Sequence, residues 1–101
     1  MPFDNQIEIP QSFMDMYVPA GHSRPNATHD VVLARYERCE DMACILAEHA
    51  QTLVFREDLS EAEVLTRCRQ GLVAEASNFS DIEADWVIRR LAELLAWTPL
   101  E

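Results

Sequence analysis

Lysine is absent from the 101 residues, so the eight basic side chains are all Arg. That absence removes a P-loop lysine, a Schiff-base lysine and a Lys general base from consideration. Glycine is nearly absent too: Gly21 and Gly71 stand fifty residues apart, and no G-x-x-x-x-G-K segment exists to cradle a phosphate. Three cysteines are an odd number, and Cys39 and Cys44, five positions apart on one helix, project in different directions, so reduced thiols are expected. No stretch approaches the roughly 20 apolar residues of a membrane span. The start Met1-Pro2-Phe3-Asp4 lacks the basic residues and apolar run of a signal peptide, so a cytoplasmic location is expected. Leu100-Glu101 reads as the junction of a C-terminal expression tag, with the natural chain expected to end near Pro99. Positive charge is scarce. Eighteen Asp and Glu give a formal charge of −10 and a pI of about 4.6, which argues against nucleic acid and anionic membranes as partners.

What is present points to an all-α fold. Apolar residues make up 49% of the chain, ample for a packed core, and 11.6 kDa sets the scale of a single domain over 1–101. Residues 1–27 read as an N-terminal arm and connector, and 28–97 as a helical bundle. Within the arm, Pro10 at a helix start with Phe13, Met16 and Tyr17 behind it predicts a two-turn helix over 9–18. The prolines and glycine of 19–27 predict a loop. From Thr28 to Arg56, Val32, Tyr36, Cys39, Ala43, Leu46, Ala50 and Leu53 recur at spacings of 4, 3, 4, 3, 4 and 3, the stripe of one long helix. Ser60-Glu61-Ala62-Glu63 and Ser80-Asp81-Ile82-Glu83 are two S-x-x-E capping boxes, each opening a shorter helix. The first has a core face of Val64, Leu65, Cys68 and Leu72. The second, with Ala84, Val87, Ile88, Leu91, Leu94 and Leu95 facing the core, is expected to end near Trp97 because Pro99 follows. The repeat of S-x-x-E is explained by capping chemistry, and the rest of the two segments does not align as an internal repeat.

Apolar residues on the back of a helix are informative when they line up. Trp86 and Trp97, eleven positions apart, fall within about 20° of one direction, with Ile82 nearby. Leu33, Cys44 and Phe55 repeat that spacing on the long helix. These six residues form the candidate interaction surface, with Trp an expected anchor at such contacts. The N-terminal arm, carrying Phe3, Ile7, Ile9 and Phe13, offers a cover for one stripe in cis. Arm exchange or pairing of stripes across a two-fold axis would give a homodimer.

The patterns that carry chemistry are weak. His22, His29 and His49 with Cys39, Cys44 and Cys68 show no C-x-x-C, H-x-x-x-H or E-x-x-H spacing, so no metal site and no cofactor is assigned. Glu37, Asp41, Glu48 and Cys44 share a sector of the long helix with Glu40 close to it, so several carboxylates crowd one side. A solvated face is the expected reading, with cation binding or acid–base work as its alternative. No Ser or Cys sits at a Gly-rich elbow, and no catalytic residue is assigned.

Four stretches carry a family resemblance: residues 2–13 (Pro2 to Phe13), Arg35-Tyr36-Glu37-Arg38-Cys39-Glu40-Asp41-Met42-Ala43, Glu48-His49-Ala50 and Trp86-Val87-Ile88-Arg89-Arg90-Leu91-Ala92-Glu93-Leu94-Leu95. Together they resemble a group of short bacterial proteins of unknown function, over nearly the whole chain. Some members carry the label "ATPase with chaperone activity", and the resemblance implies an ATPase or chaperone-associated role. It brings no catalytic residue with it. The residues themselves favour a small interaction or regulatory module with a protein partner; metal or redox sensing through Cys44 and His49 is a further alternative.

Overall fold

The computed structural model describes residues 8–18, 27–74 and 78–98. Among them the chain is all-α, a small helical assembly without a strand. The order is α1 (Gln11–Met14), a 3-10 turn (Asp15–Tyr17), α2 (His29–Glu57), α3 (Glu61–Leu72) and α4 (Asp81–Leu95). The chain divides into two compact units, Met1–Tyr36 and Glu37–Glu101, with the division inside α2. The expected loop over 19–27 and the arm residues Phe3 and Ile7 lie almost wholly outside the described residues.

In the first unit, the helix expected over 9–18 is a single α turn that tightens into a 3-10 turn. Its one buried side chain, Phe13, meets Tyr17 with ring centroids 5.6 Å apart and Tyr36 edge-on at 5.5 Å, the geometry that an aromatic quadrupole favours. Thr28 opens α2: its Oγ1 accepts the Val31 amide at 3.3 Å and its carbonyl accepts the Val32 amide at 3.0 Å.

In the second unit, α2 contributes the buried Cys39, Ala43 and Ala50 of its predicted stripe. Small residues at three of these positions let neighbouring helices approach closely. Helix α3 buries all four predicted residues, Val64, Leu65, Cys68 and Leu72. Ser60 Oγ accepts the Glu63 amide at 3.1 Å and Ser80 Oγ does the same for Glu83, so both serines cap as predicted. Two ion pairs tie the helices: Arg69 to Asp85 joins α3 to α4 at 2.6 Å, and Arg90 grips Glu40 of α2 with a fork of N–H bonds at 2.9 and 3.0 Å. Arg38 lies over the buried Phe79 ring, 5.1 Å from its centre.

Helix α4 buries Ala84, Val87, Ile88 and Leu91 as predicted and departs from its prediction at two positions. Trp86 was expected on the exposed back and is 7% accessible, whereas Leu94, expected in the core, is 40% accessible. For Trp86 the reason is the width of the buried arc, whereas Leu94 shares the direction of that arc but stands in the last turn, next to the helix end at Leu95. Residues from Trp86 through Glu83, Val87 and Leu91 round to Ala92 are all covered, which at 100° per residue is roughly 240° of the helix. The remaining arc of roughly 120° carries Asp85, Arg89 and Glu93 with Ile82, which leaves Ile82 as the one exposed apolar side chain of the predicted back stripe within α4. The helix also stops at Leu95, and the next residue, Ala96, adopts the left-handed conformation (φ 57°).

Candidate functional site

The end of α4 sets the position of Trp97. The Ala96 amide donates to the Glu93 carbonyl at 3.2 Å and the Trp97 amide to the Ala92 carbonyl at 2.8 Å. With Ala96 left-handed, this is a Schellman closure, which turns the chain sharply and fixes the residue after it. Trp97 thereby lines an open hollow of about 660 Å³ together with Glu48, Gln51, Thr52, Val54, Phe55 and Arg56 of α2. Phe55 is 91% accessible, the most exposed large apolar side chain among the described residues.

Phe55 belongs to a longer exposed face. Taking 100° per residue, Glu37, Asp41, Cys44, Ile45, Glu48, Gln51, Thr52 and Phe55 fall within roughly 120° of one another on α2, and all are exposed. Ile45 is 61% accessible. Among the described residues, the carboxylates of Glu37, Asp41 and Glu48 have no ion-pair partner. Glu40, close to the same acidic sector, is engaged by Arg90. The guanidinium pKa of Arg90 is raised, first by its hydrogen bond to Glu40 and then by that to Glu93.

The six residues of the predicted interaction surface are therefore divided. Phe55 and Trp97, predicted on two separate stripes, are brought to one hollow, and Cys44 lies on the same exposed face as Phe55. Leu33 belongs to the first unit and is half-buried. Ile82 is 58% accessible but lines neither this hollow nor the groove described next, and Trp86 is buried.

That groove, between α2 and α3, went unnoticed in the sequence. It encloses about 450 Å³, walled by Met42, Leu46 and Leu53 of α2, Leu72 of α3 and the ring of Phe79. Two signals could have found it: positions 42, 46, 49 and 53, a second 4-3-4 stripe beside the core stripe that is half-buried at Met42, Leu46 and Leu53 and exposed at His49, and Gly71, a helix breaker inside a helical pattern. Cys68 also lines it, and burial raises the pKa of its thiol.

Among the described residues, no three His, Cys, Asp or Glu side chains come together as a metal-holding group. Cys39 and Cys68 are buried free thiols and Cys44 is an exposed one; His22 lies outside the described residues. No described helix is long and apolar enough to cross a membrane. No family model matches the chain, and neither the curated proteins nor the solved structures yield a match.

Proposed function

We propose that this protein is an interaction module that docks a basic, apolar-bearing segment of another protein on the exposed face of α2. The observation that carries the reading is Phe55: a phenyl ring left 91% exposed, bordered by Trp97 and Glu48 and continued along the helix by Ile45, Asp41 and Glu37. Solvated aromatic surface of this kind is costly to leave open and marks contact sites. The sign of the charge selects the partner. Three carboxylates without ion pairs among the described residues, on a chain of net charge −10, attract Arg and Lys side chains and speed their approach. Phe55 and Trp97 offer ring faces to the same cations. Pairing the face with a second copy of itself would set carboxylate against carboxylate, so a different protein is the better occupant than a homodimer mate. A chaperone-associated role, as the family resemblance implies, is compatible with such docking.

The test compares three chains of equal fold: wild type, Phe55→Ser, and a Glu37→Gln, Asp41→Asn, Glu48→Gln triple variant. A synthetic amphipathic Lys/Leu helix serves as probe, with its Glu/Leu counterpart as control, read by Trp fluorescence and calorimetry. Saturable binding of the basic helix that weakens by about tenfold in both variants is the expected result. Proteins captured from native lysate by the wild type and lost from both variants would identify the partner. Equal binding by all three chains overturns the reading, and sedimentation of a stable wild-type dimer would move the face to self-association.

A further inference from the structure

The groove between α2 and α3 differs from the rest of this acidic surface in the sign of its polar groups. Its walls are apolar, and the ionisable side chains that line it are His49, Arg67 and the thiol of Cys68. Among the described residues no carboxylate lines it, in a chain with eighteen acidic residues against eight basic ones. Arg67 donates its Nε–H to Glu63 at 3.1 Å, and among the described residues its two terminal nitrogens meet no partner. His49 is exposed and brings a ring N–H in either tautomer. Burial keeps the Cys68 thiol in its neutral form, so that wall stays apolar.

Gly71 adds an independent observation. Glycine within a helix costs stability relative to alanine. At Gly71 the backbone is not left-handed, and a Cβ built there would meet nothing within 4 Å. Neither conformation nor packing among the described residues calls for glycine. What the missing side chain does is leave one wall of the groove open.

We propose that this groove binds a small amphiphilic carboxylate, with its apolar body against Met42, Leu46, Leu53 and Phe79 and its carboxylate at Arg67 and His49. The volume of about 450 Å³ falls in the range of small-molecule sites. From Met42 to Leu53 the wall runs about three helical turns, roughly 16 Å, the reach of a medium-length aliphatic acid. Arg67 suits a carboxylate because its planar fork can present two N–H groups to two oxygens. The groove residues lie on the side of α2 away from Glu37, Asp41, Glu48 and Phe55, so this site stands apart from the partner-docking face.

Sodium octanoate and 1-octanol, which share a chain and differ in charge, are the probes, titrated into the full chain by calorimetry and amide NMR. Saturable binding of octanoate is expected, with shifts concentrated over 42–53 and 67–72. Arg67→Gln should weaken octanoate by about tenfold while leaving octanol within about twofold. Gly71→Leu fills the open wall with a better helix former, so octanoate affinity should fall by at least about tenfold while the thermal midpoint is kept or raised. Non-saturable shifts, shifts centred on Phe55 and Trp97, full octanoate affinity in Gly71→Leu, or equal loss of both probes in Arg67→Gln would each overturn the proposal.

Discussion

Ala96 carries a methyl group where helix ends usually place glycine. Its φ of 57° brings Cβ close to a carbonyl oxygen, a conformation that glycine adopts without penalty. The other two non-glycine residues of positive φ among the described residues, Asp58 and Asn78, are of types that tolerate it better. Ala96→Gly should therefore stabilise the fold by about 1 kcal/mol, read as a higher urea midpoint at unchanged slope. Trp97 should keep its fluorescence maximum in that variant, because the Schellman bonds that fix it are made by the backbone. Cys68 gives a second residue-level expectation. In the unfolded chain its thiol ionises near the ordinary value of 9.0, whereas burial raises the folded value. Below pH 9 both states hold the proton and the thiol adds no slope. Above it the unfolded chain loses the proton first, so stability falls as pH rises and levels off beyond the folded pKa. Denaturant midpoints of wild type and Cys68→Ala, followed from pH 8 to about pH 10.5, should show the steeper alkaline decline in the wild type. Parallel curves would mean that the thiol is solvated.

At the scale of elements, the two S-x-x-E starts look alike in the sequence and differ in the fold. At α4 the box is closed on both sides: Ser80 Oγ accepts the Glu83 amide, and the largely buried Glu83 carboxylate accepts the Ser80 amide at 3.0 Å. At α3 the serine still caps, but Glu63 turns outward to Arg67, so its carboxylate does not return to the Ser60 amide. Ser80→Ala should then cost about 1–2 kcal/mol and Ser60→Ala about 0.5–1 kcal/mol, measured by equilibrium unfolding. Equal losses would show that the reciprocal bond adds nothing. Helix starts were legible because capping is local chemistry over four residues, and the α2 and α3 core faces because 4-3 spacing is local periodicity. The facing of α4 was legible in part: Ala84, Val87, Ile88 and Leu91 are buried as the spacing predicts, but a one-sided core does not account for Trp86, which lies at the edge of a wider buried arc. Glu40, close to the acidic sector, is engaged by Arg90, fifty positions on, a pairing that no local rule contains. The same holds for the candidate site. Phe55 and Trp97 were each visible as misplaced aromatics, but that they line one hollow depends on how the ends of α2 and α4 lie.

For the whole molecule, the charge of −10 is the dominant fact. Like charges at this density repel one another in the folded state, and the repulsion reaches about 30 Å in 0.01 M salt against about 8 Å at 0.15 M. Part of the acidity is balanced by structure. Arg90 holds Glu40 by a two-pronged, half-buried contact, worth more than the ~1 kcal/mol ceiling of an open surface pair, and its guanidinium stays charged at any working pH. Glu37, Asp41 and Glu48 have no such ion pair among the described residues and sit beside the exposed Ile45 and Phe55. A face kept acidic at the expense of stability is expected where a basic partner supplies the missing charge. Replacing the three by Gln, Asn and Gln takes the formal charge from −10 to −7, since three negative charges are removed. In 0.01 M NaCl the triple variant should melt higher than the wild type, and the gap should close as salt is raised to about 0.3 M. The same variant should lose the basic helix that the wild type binds. Higher stability together with lost binding cannot come from misfolding, so the pair of measurements isolates what these carboxylates do. A triple variant that melts lower at 0.01 M salt would show instead that the three carboxylates support the fold, and the docking face would lose its electrostatic argument.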